Sequence, residues 1–197
     1  MRFSDLSRVA LFLALAACLS AAGSAGAGLR FSLHDTEGVV HDQDEWAGAR
    51  AVVIFFMTTD CPLSNGYVPE MNRIEQDYAS RGVRFYAVQG DTTIADDEVR
   101  RHARDFAYRF PVLLDPQQVL SQHTGATVTP EAAVLSPAGE VLYLGRIDNR
   151  IEDWGKVRYQ PTVFDLREAL GAVLAGRPVP HPRTRAFGCS ITKVHQG

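Results

Sequence analysis

Two residues stand out for their chemistry, Cys61 and Cys189. A thiolate attacks disulfides and peroxides, and in an exported chain two cysteines can form a bridge, a redox couple, or both. Cys61 follows the continuous apolar run AVVIFFM (51–57), which reads as a strand buried on both faces. It precedes a segment with helical apolar spacing at Val68, Met71, Ile74 and Tyr78. Ligands of open α/β sheets gather beyond the carboxyl ends of the strands. A helix start adds free N–H groups and partial positive charge, which favour thiolate over thiol. Pro62 suits a first helical turn, where its missing N–H costs nothing. Asp60 works against ionisation unless it points to solvent.

Other constellations carry less. The histidines His34, His41, His102, His123, His181 and His195 have no metal-ligand spacing, and neither Cys61 nor Cys189 has a close second cysteine, so no metal is expected. No glycine-rich phosphate loop and no G-x-S-x-G elbow appears, and no cofactor is expected. Asp96, Asp97 and Glu98 read as a helix-start charge cluster, Trp46 and Trp154 as packing residues.

The elements that must position Cys61 follow from the apolar periods. Leu29–Leu33 and Val39–His41 flank a turn and suggest an opening hairpin. Strands are predicted at 51–57, 83–89 and 111–114, with helices over 68–80, 96–106 and 119–124. A hairpin of 132–135 and 141–144 turns at Ser136-Pro137-Ala138-Gly139, and a last helix spans 162–175 with Thr162 as its N-cap. Alternating βα units followed by a hairpin predict a three-layer α/β domain with a central mixed sheet flanked by helices. An irregular tail carrying Cys189 closes the chain.

The chain has 197 residues, enough for one domain of ordinary size, and a formal net charge of −3. That mild charge gives no basic face for nucleic acid or an anionic membrane. Residues 1–27 read as a signal peptide, with two arginines, an apolar core and a small-residue exit. Cleavage after Ala25-Gly26-Ala27 leaves Gly28 first, whereas Leu15-Ala16-Ala17-Cys18 fits a lipobox whose lipidated Cys18 would be the only membrane attachment. Either way the expectation is export to the periplasm or cell envelope, with residues 28–176 as the domain and 177–197 as the tail.

FFMTTDCPLSN around Cys61 and VTPEAAVLSPAGEVLYLGRID (128–148) together resemble the thioredoxin superfamily, specifically its exported redoxin or peroxiredoxin-like branch. The resemblance covers most of residues 29–190. It implies a thioredoxin-like fold with Cys61 as nucleophile, and it places Ser64 where the second cysteine of a Cys-x-x-Cys pair would stand. Pro130 takes the cis-proline position after Thr129, whose backbone borders the sulfur and pairs with an incoming peptide or thiol. Pro62, Ser64, Thr129 and Pro130 would thus meet the substrate. Departures accompany the match. Phe55 replaces the family's buried acid, Asn65 stands at the second position of a Cys-x-x-x-Cys copper site, and Ile54 replaces the proline of the peroxiredoxin motif. Thr58 and Arg146 would orient and polarise a peroxide.

With Ser64 unable to serve, Cys189 in Phe187-Gly188-Cys189-Ser190-Ile191 is the resolver available within the mature chain. A permanent disulfide and a free or intermolecular thiol are the alternatives. A bridge requires Cα atoms within about 7 Å, and closing so long a loop would stabilise by about 2–4 kcal/mol in the chain-entropy picture. Three functions are consistent with these residues. They are thiol–disulfide exchange with protein or small-molecule partners and an external thiol reductant, reduction of hydroperoxides, and a non-catalytic binding module.

Overall fold

The computed structural model describes residues 29–153 and 155–193; the leader with Cys18 and Gly28, Trp154 and His195 lie outside the described residues. The chain runs through β1 (Ser32–His34), β2 (Val40–Asp42), β3 (Ala51–Met57), α1 (Pro62–Tyr78), β4 (Val83–Gln89), α2 (Asp96–Asp105), β5 (Val112–Leu114) and α3 (Val119–Thr124). It continues through β6 (Val128–Thr129), β7 (Glu131–Leu135), β8 (Val141–Gly145), β9 (Ile151–Asp153), β10 (Lys156–Val157), α4 (Asp165–Leu174) and β11 (Cys189–Ser190).

Five strands form the central sheet in the order β5-β4-β3-β7-β8. β3 pairs in parallel with β4 and β4 with β5, while β7 is antiparallel to both β3 and β8. Every residue of β3 is buried, as a central strand covered on both faces requires. Its alternation sorts the core. Val53, Phe55 and Met57 face Met71 and Ile74 of α1 and Leu166 and Leu170 of α4. Val52, Ile54 and Phe56 face Trp46, Leu33 and Leu120. This is the expected three-layer mixed arrangement, and it points the end of β3 at Cys61. Phe55 lies between Phe85 and Phe110, with ring centroids 6.3 and 5.5 Å away. An acid at that position would have no polar partner among these rings.

Several expectations are corrected. α4 begins at Asp165 with Phe164 as N-cap. Thr162 is held elsewhere, because Asn149 accepts its N–H at 2.8 Å and donates to its hydroxyl at 2.9 Å. The β9–β10 hairpin adds to the expected elements, because strands of two or three residues show no period in the sequence. Most important, the tail is ordered into the sheet. Leu144 N–H donates to Pro182 O at 2.9 Å, Thr184 N–H to Leu144 O at 3.2 Å, and the Tyr143 and Thr184 hydroxyls lie 2.7 Å apart.

The opening hairpin is clamped by a charged cluster. His41 Nε2 lies 3.1 Å from Asp35 Oδ2 and Nδ1 3.0 Å from Glu45 Oε2, while Tyr86 donates to Glu45 at 2.9 Å. Burial pulls the imidazole pKa down, but the two carboxylates overcome it and raise the value. Burial likewise opposes ionisation of Asp35, yet the N–H groups of Val39 and Glu37 and the His41 ring lower its value. The His41 contribution is complete below about pH 6.5 and fades as pH rises through the raised value. That of Asp35 is complete above about pH 3.9 and fades as pH falls through the lowered one. The melting-temperature loss of His41→Gln should therefore be larger at pH 5 than at pH 9; a loss independent of pH would exclude a charged clamp.

Gly145 tests the tail. A Cβ there would lie 2.1 Å from Thr184 Oγ1 and 2.6 Å from its carbonyl oxygen. Gly145→Ala should cost about 1–3 kcal/mol by overpacking, read in chemical denaturation; an unchanged midpoint would mean that the tail is not seated on β8.

Candidate active site

Cys61 is the N-cap of α1, with Pro62 at the first helical position, and is fully buried. β3 delivers the chain to the site, and the loop 58–60 turns it: Cys61 N–H donates to Thr58 O at 3.3 Å. Thr58 Oγ1 donates to Asp60 Oδ1 at 2.8 Å, and Asp60 itself is exposed. Opposite the sulfur runs the Thr129–Pro130 bond, which is cis. The Cys61 thiol donates to Thr129 O at 3.2 Å.

The tail completes the site. β11 pairs antiparallel with β6, with Cys189 opposite Thr129 and Ser190 opposite Val128, and Ile191 N–H donates to Thr127 O at 2.9 Å. This register sets Cys189, a free thiol like Cys61, close enough that each affects the ionisation of the other. Burial pushes the Cys61 thiol up. The Cys189 thiol, the backbone N–H groups of Ser64 and Cys189, and Thr129 outweigh that and lower it overall. Cys189 moves the opposite way. Burial, the hydrogen bond and charge of Cys61, and the charge of Asp60 push it up to about 12. Cys61 is thus the thiol of the pair that ionises more readily.

The remaining sequence-derived residues divide. Pro62, Ser64, Thr58, Thr129 and Pro130 surround Cys61 through α1, the 58–60 loop and the cis bond. Ser64 is fully buried, its hydroxyl without a partner among the described residues. Arg146 is gripped by Asp165, at 2.7 Å through Nε and 3.2 Å through the terminal nitrogen, so its guanidinium fastens β8 to α4.

Three contributors were not singled out from the sequence as site residues. Asn65 donates to Thr59 O at 2.8 Å and contacts His102 Nε2 at 2.8 Å, tying the loop to α2. Burial lowers the His102 pKa, against the charges of Asp105 and Glu98. Glu131, directly after Pro130, is buried beside Phe56 in register. Burial raises its pKa against the pull of the Thr127 and Val128 N–H groups and Arg183. The third is Gly188, whose signal, a glycine before a cysteine in an irregular tail, is visible only once the partner backbone is known.

No group of three or more acidic, histidine or cysteine side chains suited to a metal occurs among the described residues, and none of their helices is long and apolar enough to cross a membrane.

A family model described as Redoxin matches residues 22–158, so the tail lies beyond the match. No curated protein matches the sequence. Among solved structures, the chain resembles an uncharacterized conserved protein of Geobacillus kaustophilus, at 27% identity and a TM-score of 0.74, over 87% of this chain and 93% of that one. A hypothetical protein of Sinorhizobium meliloti is 24% identical with a TM-score of 0.70, over 84% and 91%. A secreted disulfide oxidoreductase of Mycobacterium tuberculosis shares the fold at 17% identity and a TM-score of 0.52, over 75% and 96%.

Cys189→Ala removes one donor from the Cys61 sulfur, so the thiolate absorbance of Cys61 should titrate at higher pH than in the parent. A midpoint that stays put would take Cys189 out of the control of Cys61 ionisation.

Proposed function

The chain belongs to the Redoxin family, and from that premise we propose that it is an exported thiol–disulfide oxidoreductase with Cys61 as nucleophile and Cys189 as resolving thiol. The observation that carries this reading is the register that seats Cys189 opposite Thr129, whose carbonyl oxygen lies 3.2 Å from the Cys61 sulfur.

The Cys61 thiolate attacks one sulfur of a substrate disulfide. A Cys61–substrate bond forms, the substrate S–S bond breaks, and the departing sulfur leaves as a thiolate that takes a proton from water. Cys61 is then neutral. The hydrogen bond and charge by which Cys61 helps to hold up the Cys189 pKa disappear, which favours ionisation of the resolver. Its thiolate attacks Cys61, forming the Cys61–Cys189 disulfide and releasing a reduced substrate. Two electrons have passed from the protein to the substrate, and an external thiol reductant restores the pair. Thr129 and Pro130 border the reacting sulfurs, with Pro62 and Ser64 at the first turn behind them.

Exchange is favoured over peroxide reduction because the groups a peroxidase would enlist are engaged, Thr58 with Asp60 and Arg146 with Asp165. Export is supported by the leader-like residues 1–27 and by a structural neighbour described as secreted.

Reduced protein mixed with a protein disulfide should form a mixed disulfide at Cys61 faster than a free thiol of similar pKa does. Cys189→Ser should trap that species and lower turnover about 100-fold or more, as loss of a chemical step does. Faster sulfenate formation with hydrogen peroxide would overturn exchange in favour of a peroxidase. Reactivity no greater than a free thiol with either oxidant would leave a binding module.

A further inference from the structure

β11 lies on the β6 edge with Cys189 opposite Thr129, so the tail shows how a cysteine-bearing segment is seated beside Cys61. Gly188 is the tightest point of that seating. A Cβ there would lie 1.9 Å from Thr129 O, 2.6 Å from its carbonyl carbon and 3.1 Å from Pro130 N. The obstruction is backbone at the cis bond, between β6 and β7, and cannot swing aside as a side chain would. Gly188 is also not among the glycines of positive φ, so the requirement is for space rather than for an unusual conformation. After the cysteine, Ser190 is exposed and imposes little. Ile191 packs against the core cluster that includes Phe56, Val88 and Leu120, and its N–H continues the ladder to Thr127 O. Read along the strand, the edge accepts glycine, then cysteine, then any residue, then an aliphatic one.

The resemblance already implies that an incoming peptide pairs with the backbone beside the cis proline. We propose that in this chain the β6 edge selects segments of the pattern Gly-Cys-x-aliphatic, with β11 as its resident occupant, and that protein substrates present their disulfide on such a segment. The proposal rests on the exchange reading above and adds the substrate class to it. Backbone pairing gives the affinity, as in strand addition to a sheet edge, and the missing Cβ gives the selectivity. The edge is used twice per turnover. The substrate segment displaces β11 and its cysteine sulfur bonds to Cys61 as its former disulfide partner leaves. β11 then returns, and Cys189 attacks Cys61 and releases the segment as a thiol.

The test compares two synthetic peptides, Ala-Phe-Gly-Cys-Ser-Ile-Thr and its Ala-Cys counterpart, each as a mixed disulfide with thionitrobenzoate. Both are reacted with the full-length Cys189→Ser chain, and the peptide adduct on Cys61 is followed by mass spectrometry. The resident tail slows both peptides equally, so their ratio reports the edge. The Gly-Cys peptide should react about tenfold faster or more, the scale on which a tight pocket separates one methyl group, while free glutathione reacts with the two alike. Gly188→Ala added to Cys189→Ser should unseat β11 and raise the Gly-Cys rate several-fold; if that variant fails to fold, the peptide ratio still decides. Equal rates for the two peptides, both above those with glutathione, would overturn the pattern while leaving exchange intact. Rates for both no higher than with glutathione would overturn exchange, and the proposal with it.

Discussion

The site depends on one contact, the pairing of a two-residue strand from the distal tail with the backbone just before a cis proline. That pairing sets the register of Cys189 against Thr129 and with it the meeting of the two sulfurs. Two residues of ladder are too little to hold a tail by themselves. The anchoring comes earlier, where Pro182 and Thr184 bond to Leu144 and Thr184 meets the Tyr143 hydroxyl. Two glycines make both approaches feasible, Gly145 against Thr184 and Gly188 against Thr129.

The electrostatics of the pair follow from its surroundings. Two neighbouring thiols oppose each other's ionisation, because like charges at short range repel in a poorly hydrated site. Cys61 has the N–H of Ser64 from the first turn of α1, whereas Cys189 has the exposed carboxylate of Asp60 working against it. The asymmetry therefore comes from secondary structure rather than from a dedicated base. In the proposed exchange, a resolver on a distal strand differs from a local Cys-x-x-Cys pair in one respect: no single helix fixes both cysteines together.

Around this pair the neighbouring groups hold geometry. Asn65 bridges the 58–60 loop to His102 on α2, so the loop before Cys61 is fixed from the far side of the helix start. Arg146 and Asp165 fasten the last helix to the β8 end, where the chain turns toward the tail. Phe55 fills with aromatic packing a position that an acid could occupy only at the cost of an unpaired buried charge.

The sequence determined a good deal by itself. β3 is a continuous apolar run and β4 an apolar segment broken by Arg84, both long enough to be unmistakable, and the residues bounding β3 place Cys61 at a strand end and helix start within the domain. Thr129-Pro130 and the absence of a cysteine at position 64 were equally legible, because they are local facts of residue type. Thr162 misled, since its capping signal was taken up by Asn149, thirteen residues away. What only the tertiary structure decided was the partner of Cys61. A two-residue strand has no period, and the apposition of residues 189 and 129 depends on how the intervening residues 130–188 fold back along β8. The opposite shifts of the two thiols, Cys61 lowered and Cys189 raised, are also a property of that apposition, because each sulfur is tuned by groups that only the folded chain brings beside it.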